Sequence, residues 1–301
     1  MTASPTSTYL ERLSARSIEV GSVLCLGIDP ETGSLPSGFA RNLGGLESFA
    51  RLLIEVASPY AAAVKPNLAF FEAYGSAGMA ALERIRAAIP AGIPVIADAK
   101  RGDIGSTAAR QAVALFDALG ADAVTVNPYL GSEAVNPLLE RLDRFAYILC
   151  RTSNPGAGEL QDLILAGDGV TPSEPLYARV ARRASNWGPG GTVGLVVGAT
   201  APDELERIRA LAPGLAFLVP GVGAQGGDIG AVLRSGPASA SAPGWLPGGG
   251  LLVNVSRGIS GAANSDVSGA ANADDSTRDP DPAERLRAAA AEWAGRLPVL
   301  P

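Results

Sequence analysis

The stretch "VIADAKRGDIGSTA", Val95–Ala108, holds one structural unit in miniature. It opens as an apolar, strand-like run. That run ends in Asp98, Lys100, Arg101 and Asp103, and a small-residue segment then restarts a helical pattern. An apolar strand that runs out into charge of both signs, with a helix directly after it, is the form of a β/α unit with chemistry at the strand's C-terminal end.

The same unit recurs on both sides. Strand-like runs lie at 22–29, 61–66, 93–100, 122–128, 145–153, 192–200, 215–221 and 250–258. Amphipathic stretches alternate with them at 46–58, 69–88, 104–119, 132–143, 174–186, 203–211 and 228–235, and a last helix is expected at 282–296. The strands are apolar almost throughout, as strands buried on both faces should be. Alternating strands and helices argue for a parallel sheet. Eight such units fit a (β/α)8 barrel of the α/β class better than a doubly wound sheet, and no GxGxxG follows the first strand. One barrel domain spanning 1–301 is expected. Two segments, 235–250 and 260–282, are rich in Gly, Ala, Ser, Pro and Asp with no apolar period, and read as mobile surface insertions.

Composition narrows the function. The net charge of −6 gives no general reason to expect a nucleic-acid partner. No apolar run approaches the ~18 residues of a membrane span, and the N-terminus lacks a signal peptide's apolar core, so a soluble cytoplasmic protein is expected. Cys25 and Cys150 sit in apolar strand-like runs and read as core residues. The 301 residues include no histidine. That removes Ser-His and Cys-His nucleophile pairs, His-ligated zinc and imidazole acid-base chemistry. Proton transfer falls to Lys, Asp, Glu, Tyr or Cys.

In a barrel the strand ends and the loops after them form the active face. The first strand ends in Asp29 and the second in Lys65. The third ends in Asp98 and Lys100, with Asp103 in the loop, and the fifth in Thr152 and Ser153. Asp98 and Lys100 are two apart, so a regular strand points both to one face. A single such pair is also consistent with a salt bridge capping the barrel. Three charged residues gathered from two strands point instead to a site. "PGVGAQGGD" (220–228) offers backbone N–H groups before a helix, and Arg257 in "NVSRG" (254–258) offers a guanidinium. Loops after the seventh and eighth strands often hold phosphate in barrels, and an arginine grips it bidentately.

"DAKRGDIGSTA" resembles the D-x-K-x-x-D-I-x-x-T signature of the orotidine 5′-phosphate decarboxylase family. Asp29, Lys65, "RTSNPG" (151–156), Gln225 and Arg257 follow in the family's order, over about residues 20–258. The Asn-Pro-Gly form and the insertions are similar to the family's longer bacterial branch. The resemblance implies a homodimeric (β/α)8 barrel that converts orotidine 5′-monophosphate to uridine 5′-monophosphate and CO2 in pyrimidine biosynthesis, with no cofactor and no metal. It implies a charged catalytic network of Lys65, Asp98, Lys100 and Asp103, with Lys100 as proton donor and Asp103 reaching into the partner's site. It implies further that Asp29 binds ribose hydroxyls, Ser153 the pyrimidine, and Gln225 and Arg257 the phosphate end. Ile104 and Thr107 would contact the neighbouring site. Two alternatives remain: a Mg²⁺-dependent sugar-phosphate decarboxylase or aldolase of the same superfamily, whose members use a histidine near the substrate, and a non-catalytic barrel that binds phosphate. Decarboxylation of orotidine 5′-monophosphate is expected to persist after dialysis against EDTA. Activity that is lost on dialysis and restored by Mg²⁺ would instead support the metal-dependent alternative.

Overall fold

Eight short, largely apolar runs form the strands of a barrel: β1 (Leu24–Ile28), β2 (Ala63–Pro66), β3 (Ile96–Arg101), β4 (Ala123–Val126), β5 (Phe145–Arg151), β6 (Val193–Val197), β7 (Ala216–Pro220) and β8 (Leu251–Val255). The computed structural model describes residues 7–167, 169–170, 172–223, 225–264 and 281–300. A helix, α1 (Tyr9–Val20), precedes the strands. Behind each strand lies another: α2 (Leu43–Ala57), α3 (Gly75–Ala88), α4 (Gly105–Ala112), α5 (Ser132–Leu139), α6 (Leu176–Ala184), α7 (Pro202–Leu211), α8 (Ile229–Ser235) and α9 (Pro282–Arg296). The helical pattern read at 104–119 is met by α4 continuing into a π-helical segment, Val113–Ala118.

All pairings around the ring are parallel, in the order β2-β1-β8-β7-β6-β5-β4-β3. The ring is thinnest between β2 and β3, where two isolated bridges, Val64↔Val95 and Asn67↔Asp98, join the strands. The apolar core divides in two. One part fills the space between strands and helices. The other lies inside the barrel and includes Cys25, Ala63, Ile96, Ala123, Phe145 and Leu252. Phe145 fits because its neighbour across the ladder region is Gly194: a Cβ there would stand 2.8 Å from the ring edge. Both cysteines are free and buried. Among the described residues no helix is long and apolar enough to cross a membrane.

The N-terminal helix α1 is not apparent from the strand–helix alternation, because it lies before the first repeat. Its signal was local. Thr8 and Glu11 form a reciprocal capping box, and Gly21 ends the helix in the left-handed conformation (φ 66°). The helix closes the N-terminal end of the barrel. Tyr9 is fully buried and stacks on Phe145 with ring centroids 4.8 Å apart, and its hydroxyl meets that of Tyr147 at 3.1 Å. Arg12 pairs with Asp122 at 3.0 Å, which ties α1 to the start of β4.

Segment 235–250, read from sequence as a mobile insertion, makes defined contacts. The Arg209 guanidinium donates to the carbonyl of Gly236 (2.5 Å), and the Ser14 hydroxyl donates to the carbonyl of Pro247 (2.6 Å). Most of the second expected insertion, 265–280, lies outside the described residues. Its leading end is a short helical turn, Gly261–Asn264, and Asn264 donates to the carbonyl of Ser34 at 2.9 Å. Tyr9→Ala should remove about 3–5 kcal/mol of stability, whereas Tyr9→Phe, which loses only the hydroxyl contact, should cost about 1 kcal/mol. Urea unfolding of the three proteins checks both values.

Candidate active site

Side chains of a strand alternate between its two faces, so the inward row of each barrel strand is every second residue. The lower inward positions are apolar: Ala63 in β2, Ile96 in β3, Ala123 in β4 and Leu252 in β8. The next inward position toward the C-terminal end is polar in all four strands: Lys65, Asp98, Thr125 and Asn254. On these four strands the barrel interior changes from hydrocarbon to hydrogen-bonding groups within one residue pair, and this polar patch forms the floor of the site.

Asp98 is the centre of that layer. Its Oδ2 accepts from Lys65 Nζ at 2.5 Å. Its Oδ1 accepts from Lys100 Nζ at 2.6 Å and from the Thr125 hydroxyl at 2.9 Å. Lys65 and Asp98 are buried, while the Lys100 side chain is 51% exposed and faces the cleft. Burial alone would push the Asp98 carboxyl up. The flanking ammonium groups of Lys65 and Lys100 outweigh it and hold the carboxyl well below the usual carboxylate range. Burial pulls the Lys65 ammonium down, but the charges of Asp98 and Asp29 overcome this and hold it above lysine's usual value.

The juxtaposition of Asp98 and Lys100 does not come from regular strand alternation, as the spacing of two suggests. Ala97 pairs with Val124 and Arg101 with Val126, so the ladder is interrupted across Asp98–Lys100. Lys100 has φ 47°, the sole positive φ outside glycine among the described residues. The chain bulges here, and the bulge brings the ammonium back onto the carboxylate.

Above this floor lie two adjoining cavities that share Lys65, Asp98, Pro220 and Gln225. The larger, ≈ 420 Å³, also holds Lys100, Ser153 and an apolar wall of Leu149, Val196 and Leu218. The smaller, ≈ 160 Å³, holds Asp29, Asn254 and Arg257. Asp29 Oδ1 and Asn254 Oδ1 are buried and have no hydrogen-bond partner among the described residues. Gly27 permits the close approach of β1 and β8 here, since a Cβ would stand 2.6 Å from that of Ser256.

Of the residues singled out by sequence, Lys65, Asp98, Lys100, Asp29, Ser153, Gln225 and Arg257 line this cleft. Asp103, Ile104 and Thr107 do not line these cavities in their own chain. Asp103 Oδ1 accepts from the Ile104 N–H at 2.8 Å, and Ile104 is 55% exposed just before α4. Thr125, Asn254 and Gln161 were missed. The first two had a signal, as polar residues two beyond an inward apolar one. Gln161, whose side-chain oxygen accepts from the Thr152 N–H at 2.8 Å, lies between β5 and α6 where no period marks it.

Comparison with known proteins adds to this geometry. The sequence model of the Orotidine 5′-phosphate decarboxylase / HUMPS family matches residues 22–272. The chain is 46% identical over 289 residues to an orotidine 5′-phosphate decarboxylase of Thermomicrobium roseum, covering 96% of this chain and 99% of that one. Among solved structures it is similar to Leishmania donovani OMP decarboxylase, with a TM-score of 0.77 and 39% identity, over 96% of this chain and 97% of the other. It is also similar to Leishmania donovani UMP synthase, with a TM-score of 0.79 and 41% identity; there it covers 96% of its own length and 56% of the larger chain.

Asp98→Asn would leave the Lys65 ammonium buried without its counter-charge, which should cost about 3–5 kcal/mol at pH 7. The Asp98 carboxyl is depressed in the fold relative to about 3.9 in the unfolded chain, so its contribution is present above that value and lost as pH falls through the folded one. Lys65 is raised, so its contribution is full below about pH 10 and lost only at higher pH. The stability gap between wild type and Asp98→Asn should therefore be level near neutrality, narrow below about pH 4, and narrow again toward alkaline pH, where the variant's buried Lys65 gives up its proton more readily than the wild type's. Urea unfolding across that range measures it.

Proposed function

The chain belongs to the Orotidine 5′-phosphate decarboxylase / HUMPS family, and from that membership we propose that it converts orotidine 5′-monophosphate to uridine 5′-monophosphate and CO2, with Lys100 as the proton donor. The observation that carries this reading is the Asp98 carboxylate held between Lys65 and Lys100 at the floor of a cleft of nucleotide size.

Decarboxylation breaks the bond between C6 and the carboxylate carbon and leaves the electron pair on C6. No cofactor sink is required if a fixed cation stands at that carbon. The Lys100 ammonium is such a cation, and its proton then passes to C6. The resulting neutral amine is recharged from solvent. Asp98, beside Lys100, faces the substrate carboxylate. Two unit charges ~4 Å apart repel by about 4 kcal/mol at an effective dielectric near 20, and loss of neutral CO2 relieves the repulsion. The apolar wall of Leu149, Val196 and Leu218 suits that uncharged product.

The remaining assignments follow the cleft outward. Asp29, with an unpartnered buried oxygen, takes ribose hydroxyls, which bring the donors it lacks. Ser153 serves the pyrimidine, and Gln225 and Arg257 the phosphate. Binding energy at the phosphate is remote from C6 and serves to order the loops. The proposed setting is pyrimidine biosynthesis in the cytoplasm, where free thiols such as Cys25 and Cys150 persist.

The working unit in this reading is a two-fold dimer with shared sites. In support, Asp103, Ile104 and Thr107 leave the cleft of their own chain, and Ile104 offers an exposed apolar side chain beside them. Lys100→Ala should lower kcat by about 10⁴-fold or more, because cation and acid are lost together. Asp103→Ala should be inactive as well. When the two variants are mixed and reassorted, about half the dimers are mixed and one of their two sites is intact, so roughly a quarter of wild-type activity should return. No recovery, with exchange confirmed by differential tagging, would place Asp103 in its own chain's site.

A further inference from the structure

Thr125 belongs to none of the assignments above, yet its hydroxyl makes three hydrogen bonds at the cleft floor. It lies in the inward row of β4 and is 2% exposed. The hydroxyl oxygen accepts the N–H of Ala99 at 3.1 Å and the N–H of Lys100 at 3.0 Å. It donates to Asp98 Oδ1 at 2.9 Å. A hydroxyl has one proton and two lone pairs. Backbone N–H groups only donate, so they occupy both lone pairs, and the proton is left for the carboxylate. The direction of the O–H bond is thereby determined.

These contacts fall on the bulge. Asp98–Lys100 stands against Thr125 where the β3–β4 ladder is interrupted, and the N–H groups of Ala99 and Lys100 turn to the threonine hydroxyl there. Lys100 occupies the left-handed region (φ 47°), a conformation that a long side chain adopts only when its surroundings over-determine it. We propose that Thr125 is a positioning residue for the decarboxylation, whose hydroxyl holds the β3 bulge that presents Lys100 and aims the Asp98 carboxylate. It acts through Asp98 and Lys100 rather than on the substrate. The inference rests on the decarboxylase reading and deepens it.

The groups assigned to ribose and phosphate, Asp29, Gln225 and Arg257, lie on other strands and loops and make no hydrogen bond to Thr125. Loss of the hydroxyl should therefore displace the reacting groups without weakening the grip on the nucleotide, which lowers kcat and spares KM. Thr125→Val keeps the shape and removes the hydroxyl. Thr125→Ala and Thr125→Ser both lack the methyl group and differ from each other only in the hydroxyl.

The experiment is steady-state decarboxylation of orotidine 5′-monophosphate by wild type and the three variants, with urea midpoints recorded for each. In Thr125→Val and Thr125→Ala, kcat should fall about 10²-fold, the scale of a ~1 Å misplacement, with KM within about threefold. Thr125→Ser should keep kcat within roughly fivefold of wild type. Retention of kcat within about twofold by folded Thr125→Val or Thr125→Ala overturns the proposal, as does a loss in Thr125→Ser equal to that in Thr125→Ala. A rise in KM at constant kcat overturns it too, since that assigns the hydroxyl to substrate binding. If Thr125→Val does not fold, the Ala–Ser pair decides. If Thr125→Ala unfolds while Thr125→Ser folds, the hydroxyl serves the barrel's stability and the positioning role is overturned. Wild-type protein that does not turn over the nucleotide would instead defeat the decarboxylase reading itself, a result read separately from the variants.

Discussion

A buried carboxylate must be paired, and the pairing of Asp98 organises the C-terminal half of the barrel. Its partners come from three consecutive strands: Lys65 from β2, Lys100 from its own β3, and Thr125 from β4. The β2–β3 seam carries only two isolated bridges, and the Lys65–Asp98 ion pair crosses the ring there. Buried ion pairs are weak evidence for net stability, because desolvation offsets much of the attraction. Their presence at a cleft floor instead favours pre-organised electrostatics, with charges fixed before substrate arrives.

Stability and chemistry occupy opposite ends of the barrel. At the N-terminal end, α1 closes the barrel with Tyr9 packed on Phe145 and Tyr147. At the C-terminal end, the inward rows of β2, β3, β4 and β8 turn polar one position beyond the hydrocarbon. Among the described residues, the one positive φ outside glycine lies in the second region, where Lys100 is held in a left-handed conformation by the bonds of its neighbours. A rigid apolar base below and an over-determined bulge above are complementary requirements, since a displaced ammonium does not serve as a fixed cation for a carbanion.

Much of the site was legible because its residues obey the rule that also identifies the fold. Asp29, Lys65 and Asp98 stand where apolar strands end, and strand ends converge in a barrel. What escaped had other causes. The α1 helix lies outside the repeating alternation, although the Thr8–Glu11 capping box marks its start. The 235–250 segment has a composition typical of free loops, but its carbonyls are bound by Arg209 and Ser14, partners distant in sequence. Thr125 looks like an ordinary strand threonine until the bulge opposite it is seen.

The sequence by itself determined the eight β/α units, the strand ends on which charge collects, the exclusion of imidazole chemistry and the signature that connects the chain to its family. These are local quantities: period, composition and spacing are written along the chain. Only the tertiary structure decided that Lys100 reaches Asp98 through a bulge rather than through strand alternation, that Thr125 completes the cluster, and that Asp29 and Asn254 present unpartnered oxygens to one cleft. Those outcomes depend on the register between neighbouring strands, and register is set by packing across the whole ring, which no single segment encodes.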